Sequence, residues 1–185
     1  MFFRKFDWIN SALVHVEVAL LSVTTLVLVG AIFVEVLCRY VFFISTAWAE
    51  ELARYLFVWT SYIGSAYALN EGSHIEVDIV PQLAQKVSVI RDKEKFVRRL
   101  EFIATFITVV FLLYFCFIWS QYLGMVAAST QTSPTMHIPM FLVYLPVPVG
   151  SALMIFHGVY LMVCHLTGNP TPKIQAELEK EAEQS

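Results

Sequence analysis

Four long apolar stretches constrain this chain more than any other feature of its sequence. They cover about residues 13–38, 52–69, 102–126 and 141–166, and a helix needs ~20 apolar residues to cross the ~30 Å hydrocarbon core of a bilayer. Hydrophobic residues make up 58% of the 185 residues and charged residues only 15%, which leaves too little polar surface for a soluble domain. The sequence therefore predicts an all-α integral membrane protein, a single domain over residues 1–185 with four transmembrane helices.

The distribution of basic residues predicts how these helices are oriented. Ten of the twelve lysine and arginine residues lie before the first apolar stretch, between the second and third, or after the fourth, which leaves only Arg39 and Arg54 for the opposite side. Because cytoplasmic loops are rich in Lys and Arg, we expect both termini and the central loop in the cytoplasm, with residues 169–185 as a solvated tail. This pattern requires an even number of spans, and four satisfies it.

Two features add detail to this four-helix arrangement. Leu83, Val87 and Ile90 recur at helical spacing in the central loop and predict a short amphipathic helix on the cytoplasmic face. Pro146 and Pro148, near the start of the fourth stretch, predict a kink or a late start of that helix. The mixture of aromatic and charged residues between the first two stretches indicates a segment at the membrane interface.

The densest group of charged and aromatic residues runs from Trp48 to Trp59. Glu50 and Glu51 can both reach Arg54, at i+4 and i+3, but one guanidinium cannot fully neutralise two carboxylates. Two interpretations remain open: an interfacial anchor with a salt bridge inside the helix, and a docking site for a partner protein. In the second, one acid, by its position Glu51, would find its cation or donor on the partner.

The remaining polar residues indicate no catalytic or cofactor chemistry. Glu35 can pair with Arg39, whereas Glu17 has no cation four residues away and would either snorkel to the cytoplasmic interface or bond to a neighbouring helix or a partner. The histidines are not paired as bis-histidine haem ligation requires, and the three cysteines form no CxxC motif. We expect no enzyme activity, cofactor or metal site, and too few polar groups at mid-membrane depth to bind an ion or a carboxylate.

Several short motifs resemble one family of membrane proteins. They are RYVF at 39–42, WAEELARYLFVW at 48–59, GSA at 64–66 and HIEVD at 74–78, followed by HIPM at 137–140, YL at 144–145 and PVG at 148–150. Together with the length and the four spans, they resemble the small membrane subunit, DctQ or SiaQ type, of tripartite ATP-independent periplasmic (TRAP) transporters. The combination of WxEELxR with HIxVD is the most specific part of this resemblance, and the match after residue 133 is looser.

The resemblance implies a function that residue spacing alone does not. It implies a scaffold subunit of a sodium-coupled importer in the bacterial inner membrane, which supports a large multi-span subunit and could help to dock a periplasmic substrate-binding protein. The substrate would be an organic acid such as sialic acid or a C4-dicarboxylate. Membrane lipid is a further expected partner and nucleic acid is not. The family-implied contacts with partner subunits fall on Arg39, Trp48, Glu50, Glu51, Arg54, Trp59, Gly64, His74, Asp78, Pro139, Pro148 and Gly150.

Two other functions remain as alternatives to the scaffold subunit. A small proton-coupled exporter would use Glu17 as its coupling carboxylate, and a membrane anchor of an oxidoreductase would hold haem between histidines. Both require polar groups inside the helical bundle, whereas a scaffold requires mainly apolar surfaces for its partner. The sparse intramembrane charge favours the scaffold.

Overall fold

The computed structural model describes residues 2–71, 93–167 and Pro172, with side chains from Phe6 and, after the gap, from Arg99 onward. The amphipathic helix predicted around residues 83–90 and the predicted contact residues His74 and Asp78 lie outside the described residues. So does the tail at 169–185, apart from Pro172.

The described part of the chain is all-helical, as the sequence predicts. Helices of 39, 24 and 36 residues are followed by a short helix and a final one of 22 residues. An isolated bridge between Thr132 and Pro139 is the one β-type pairing within these residues. The helices are α1 (Phe2–Tyr40), α2 (Ala47–Asn70), α3 (Lys93–Ala128), α4 (Met140–Tyr144) and α5 (Pro146–Thr167).

Three segments of the described chain are long and apolar enough to cross a membrane. They are Phe6–Tyr40, Arg99–Ala128 and Met140–Thr167, which contain the first, third and fourth predicted spans. Helix α2 has sufficient length, since 24 residues extend about 36 Å, but its hydroxyl-bearing residues and Arg54 make it less apolar than the other three. Whether α2 crosses the bilayer therefore stays a prediction.

The prolines of the fourth span divide it as expected. Helix α4 ends at Tyr144 and α5 begins at Pro146, where proline is well tolerated because the first residues of a helix donate no intrahelical hydrogen bond. The N–H of Leu145 still donates to the Phe141 carbonyl at 2.9 Å, and that of Val149 to the Leu145 carbonyl at 3.2 Å. The chain thus continues from α4 into α5 with only a local interruption.

The helices form an open layer in which α2 and α5 are central. Helix α1 packs chiefly against α2, α2 packs against α5, and α5 packs against α3. A small core joins the three inner surfaces through Ala66, Leu69, Leu112 and Met154. Half of the most apolar stretch within Met140–Thr167 is buried, compared with 6% of that within Phe6–Tyr40 and 11% of that within Arg99–Ala128. The outer faces of α1 and α3 are therefore available to lipid or to another membrane protein.

Two glycines of α5 allow its neighbours to approach closely. A Cβ on Gly150 would lie 2.7 Å from Cβ of Tyr62 in α2, and one on Gly158 would lie 2.5 Å from Cγ2 of Val109 in α3. Small residues at such crossings let helix backbones pack tightly in membranes. Gly150, for which the family resemblance implies a partner contact, contacts a helix of its own chain in this structure.

Candidate functional site

The carboxylate of Glu51 fastens a loop of the same chain to the start of α2. Glu51 is only 7% exposed, and its Oε2 accepts hydrogen bonds from the backbone N–H groups of Thr135 and Met136, both at 3.0 Å. Its Oε1 accepts a hydrogen bond from the hydroxyl of Tyr55. The hydrogen bond from Tyr55 has the largest effect on the pKa of Glu51, and those from Ser133 and the two N–H groups act in the same direction. Together they outweigh desolvation, which raises the pKa, and lower the pKa of Glu51 to about 2.

The loop that Glu51 holds is itself closed by hydrogen bonds. We call residues 129–139, between α3 and α4, the clamped loop. Within it, the N–H of Ser133 donates to the carbonyl of Ile138 at 2.9 Å, and the N–H of Ile138 donates to Oγ of Ser133 at 3.1 Å. His137, at the exposed turn, has a φ of 53°, a left-handed conformation uncommon for residues other than glycine. The clamp and the internal bonds together define one conformation for this loop.

This arrangement changes the interpretation of the two neighbouring acids. The donors that the sequence led us to expect on a partner for Glu51 lie in its own chain. Glu50 instead pairs with Arg54, with 3.0 Å between Oε1 and Nη2, and both side chains are more than half exposed. The predicted i+4 salt bridge is therefore present, and it is Glu50 and Arg54 that remain accessible to a partner.

A second ion pair lies at the C-terminal end of α1, on the same side of the molecule as the pair of Glu50 and Arg54. Nη2 of Arg39 is 3.0 Å from Oε1 of Glu35, as their spacing predicted. The segment that follows α1 carries exposed aromatic residues, including Phe43 at 87% and Phe42 at 62%, and Trp48 at the start of α2 is 44% exposed. Aromatic side chains of this kind are typical of a membrane interface.

A polar cluster that sequence reasoning missed lies at the opposite end of the layer. We call Asn10, Glu17, Asn70 and His157 the polar cluster; it joins α1, α2 and α5, and each member is at most 4% exposed. Nδ1 of His157 lies 2.8 Å from Oδ1 of Asn10, and Nε2 lies 2.9 Å from Oε1 of Glu17. Asn10 Nδ2 donates to Oδ1 of Asn70 at 2.9 Å. Of the two fates expected for Glu17, the structure shows the bond to a neighbouring helix.

Two further contacts join helices near the polar cluster. The hydroxyl of Tyr160 donates to Oδ1 of Asp7 at 2.6 Å, and Nε2 of His165 lies 3.2 Å from Oε2 of Glu101.

Asn10 and Glu17 are seven residues apart, two helical turns on one face of α1. That spacing is the sequence signal that could have identified the cluster, but it does not reveal which residues of α2 and α5 face it.

The ten described residues with predicted partner contacts differ in position and in exposure. Those at the clamped-loop end are Arg39, Trp48, Glu50, Glu51, Arg54 and Pro139, of which only Glu51 is buried. Pro148 and Gly150 are buried between helices. A Cβ on Gly64 would lie 3.6 Å from Cδ2 of Leu21 in α1. Trp59 is half-buried. Within the described residues, no group of three or more His, Cys, Asp or Glu side chains is arranged to hold a metal.

Comparisons with known proteins identify the family. The family described as tripartite ATP-independent periplasmic transporters, DctQ component, matches residues 28–168. The C4-dicarboxylate TRAP transporter small permease protein DctQ of Rhodobacter capsulatus is 33% identical over 113 residues, which are 61% of this chain and 46% of that protein. The isethionate TRAP transporter permease protein DctMQ of Oleidesulfovibrio alaskensis is 30% identical over 117 residues, 60% of this chain and 16% of that protein.

The chain spans less than half the length of each of these two relatives. The family is a permease component and not an enzyme family. Its membership and the three apolar, membrane-length helices make the chain a multi-pass protein of the inner membrane. The resemblance predicted from the sequence is confirmed: the chain belongs to the DctQ component family of tripartite ATP-independent periplasmic transporters.

Proposed function

We propose that this chain is the scaffold of a sodium-coupled TRAP transporter and supports the large permease subunit that moves the substrate. The observation that carries this proposal is the open layer, which leaves long apolar faces of α1 and α3 uncovered. A second support is the relative named DctMQ, a single permease protein whose name joins the letters M and Q. The match to this chain covers 16% of that protein.

The two uncovered faces differ in a way that assigns them to different neighbours. The face of α3 carries bulky side chains such as Phe106, Phe111 and Phe117, each at least half exposed. The face of α1 also carries exposed bulky residues such as Leu26 and Phe33, and next to them Ser22, Thr25 and Gly30 line a shallow, open groove on the surface of this helix. Because helix interfaces in membranes are rich in small residues, we assign the α1 groove to a helix of the large permease and the α3 face to lipid.

Two glycines provide a matched test of this assignment. Gly30 in the α1 groove and Gly124 on α3 are both exposed, and neither has any heavy atom within 4 Å of a hypothetical Cβ, so neither glycine is packed against another helix of the described chain. Gly30→Leu is expected to reduce the yield of large permease that co-purifies with the tagged chain several-fold, and Gly124→Leu to leave it unchanged. Equal yields from both variants would contradict the assignment.

The accompanying topology has four spans, with α2 crossing the membrane and both termini in the cytoplasm. The distribution of the basic residues supports it. Reporter fusions after Gln85 and Ser185 should give cytoplasmic signals, and fusions near Ser45 and Thr132 should give periplasmic ones. A periplasmic signal from the fusion after Gln85 would contradict this topology.

The substrate is proposed to be an organic acid delivered by a periplasmic binding protein, which the end of the molecule with the clamped loop could help to dock. Relatives named for C4-dicarboxylate and for isethionate support an anionic substrate, and sialic acid remains a prediction from the family resemblance. Proteoliposomes with this chain alone should show no sodium-dependent uptake. Adding the large permease and a loaded binding protein should produce uptake, and uptake by this chain alone would refute the scaffold function.

The alternative function as a haem anchor would need a histidine with a free ring nitrogen to bind the iron. His157 is the most deeply buried histidine of the described residues and the natural candidate. Both ring nitrogens of His157 are engaged, one with Asn10 and one with Glu17. A haem iron would have to displace one of these bonds inside the layer.

A further inference from the structure

Four consecutive apolar residues are exposed in the segment that joins α1 to α2. They are Val41, Phe42, Phe43 and Ile44, each at least 59% exposed. Phe43, at 87%, is the most exposed of the large hydrophobic residues that the structure describes. We call residues 41–44 the apolar turn. Contiguous exposed apolar side chains are typical of a surface that binds a protein or a membrane.

Backbone hydrogen bonds hold the apolar turn in one conformation. The N–H of Val41 donates to the carbonyl of Leu37, and the N–H of Ile44 donates to the carbonyl of Cys38, both at 2.9 Å. The chain therefore folds back beside the last turn of α1 instead of extending away from it. Phe43 has a φ of 55°, a left-handed conformation that costs free energy for a bulky residue. The fold thus accepts a backbone cost at the position where the most exposed ring points outward.

The apolar turn lies at the boundary between hydrocarbon and headgroups. The membrane-length segment Phe6–Tyr40 ends directly before it. The last turn of α1 carries Arg39, and a long basic side chain near the end of a spanning helix extends its charge to the headgroup level. Because the apolar turn folds back beside that last turn, its side chains lie close to the level of the lipid phosphates, where the acyl chains begin.

Arg39 presents positive charge next to the apolar turn. Its side chain is 54% exposed, whereas its partner Glu35 is 17% exposed, so the outward part of this ion pair is the cation. Glu35 is the one ion-pair partner of Arg39 among the described residues, and a guanidinium has five N–H donors, so donors remain for a second anion. The pair of Glu50 and Arg54 differs, because both of its side chains are more than half exposed and present both charges.

We propose that Arg39 and the apolar turn form a binding site for one phospholipid of the leaflet at this end of the molecule. Arg39 donates hydrogen bonds to the phosphate oxygens of the headgroup, a contact for which the planar guanidinium is well suited. Phe42 and Phe43 contact the acyl chains. A phospholipid combines the anionic group that complements Arg39 with the hydrocarbon that covers the apolar turn, and a free anion offers only the first.

The first test places p-benzoylphenylalanine, a photoreactive analogue of phenylalanine, at position 43 of the full chain in bacterial membranes that also contain the large permease. The control carries it at position 137, because Phe43 and His137 are the two non-glycine residues of the described chain with a positive φ and both are exposed. After irradiation, mass spectrometry should find phospholipid attached at position 43 and none at position 137. Absence of phospholipid at position 43, whether or not a protein is attached there, or equal attachment at both positions would refute the site.

The second test identifies the group that binds the phosphate. Native mass spectrometry of the full chain in detergent measures its affinity for dioleoyl phosphatidylglycerol. Arg39→Gln should weaken this affinity about tenfold or more, because hydrogen bonds to a charged group are lost, whereas Arg54→Gln should change it less than about twofold. Dioleoylglycerol, which lacks the phosphate, should bind equally to the parent and to Arg39→Gln. Equal affinities of the two glutamine variants for phosphatidylglycerol would overturn the role of Arg39.

The third test separates lipid binding from folding. Phe43→Gly removes the ring but suits the left-handed backbone, so its thermal midpoint in detergent should not fall below that of the parent, while its affinity for phosphatidylglycerol falls several-fold. His137→Gly relieves the same backbone conformation in the clamped loop and should leave that affinity unchanged. An unchanged affinity in Phe43→Gly, or a loss of affinity accompanied by a lower midpoint, would contradict the lipid contact. These binding and unfolding measurements use the chain alone, so they are independent of the scaffold function proposed above.

Discussion

Substitution of Gly150 by alanine should separate α5 from α2. The new Cβ would lie 2.7 Å from Cβ of Tyr62, 3.0 Å from its carbonyl oxygen and 3.1 Å from its carbonyl carbon. Carbon atoms in contact prefer about 3.5–4.0 Å, and the backbone atoms of Tyr62 cannot rotate away. The two helices would have to move apart by roughly 1 Å at this crossing.

The expected cost follows from overpacking a tight interface, which typically destabilises by about 1–3 kcal/mol. Alanine also favours helix over glycine by about 1 kcal/mol, so the appropriate control is Gly124→Ala, which gains the same propensity and meets no atom within 4 Å. We expect Gly150→Ala to unfold at a midpoint roughly 2–12 °C below Gly124→Ala, measured by thermal unfolding of the purified chain in detergent.

The outcome discriminates between an intramolecular and an intermolecular role for Gly150. Equal midpoints for the two alanine variants would refute the close crossing of α2 and α5. Unchanged stability with loss of co-purifying large permease would instead show that Gly150 contacts the partner, as the family resemblance implies.

Three further predictions follow from the described contacts. Gly158→Ala should also lower the midpoint in the same thermal assay, because its new Cβ would lie 2.5 Å from Cγ2 of the buried Val109, a β-branched side chain that is largely fixed in one rotamer in a helix. Glu51→Gln should make the clamped loop more susceptible to limited proteolysis at pH 6 than the control Glu50→Gln does. The pKa of Glu51 is lowered from 4.5 to about 2, so the stability that its carboxylate gives the loop is complete above pH 4.5. The difference in cleavage between the parent and Glu51→Gln should shrink as the pH falls toward 2. Arg54→Ala should change the free energy of unfolding by at most about 1 kcal/mol, since its pair with Glu50 is exposed, so a larger loss in chemical unfolding would contradict a surface pair.

Local sequence patterns predicted the features that depend on neighbouring residues in the chain. Hydropathy over about 20 residues identified the helices α1, α3 and α5 as membrane-length segments, and Pro146 marked the division between α4 and α5. The i+4 pairs Glu35–Arg39 and Glu50–Arg54 were also predictable, because a helix places such residues on one face regardless of what packs against it. The family resemblance came from contiguous motifs in the same way.

The tertiary structure alone decided which faces of the helices meet. Glu51 finds its donors 84 and 85 residues away in the clamped loop, and His157 meets Glu17 across 140 residues. The sequence shows Glu17 and His157 as polar groups without a partner, and it offers Glu51 only an arginine that Glu50 can also reach. Helical periodicity determines the spacing of residues along one helix, but the pairing of buried polar groups depends on how separate helices rotate and pack to satisfy them.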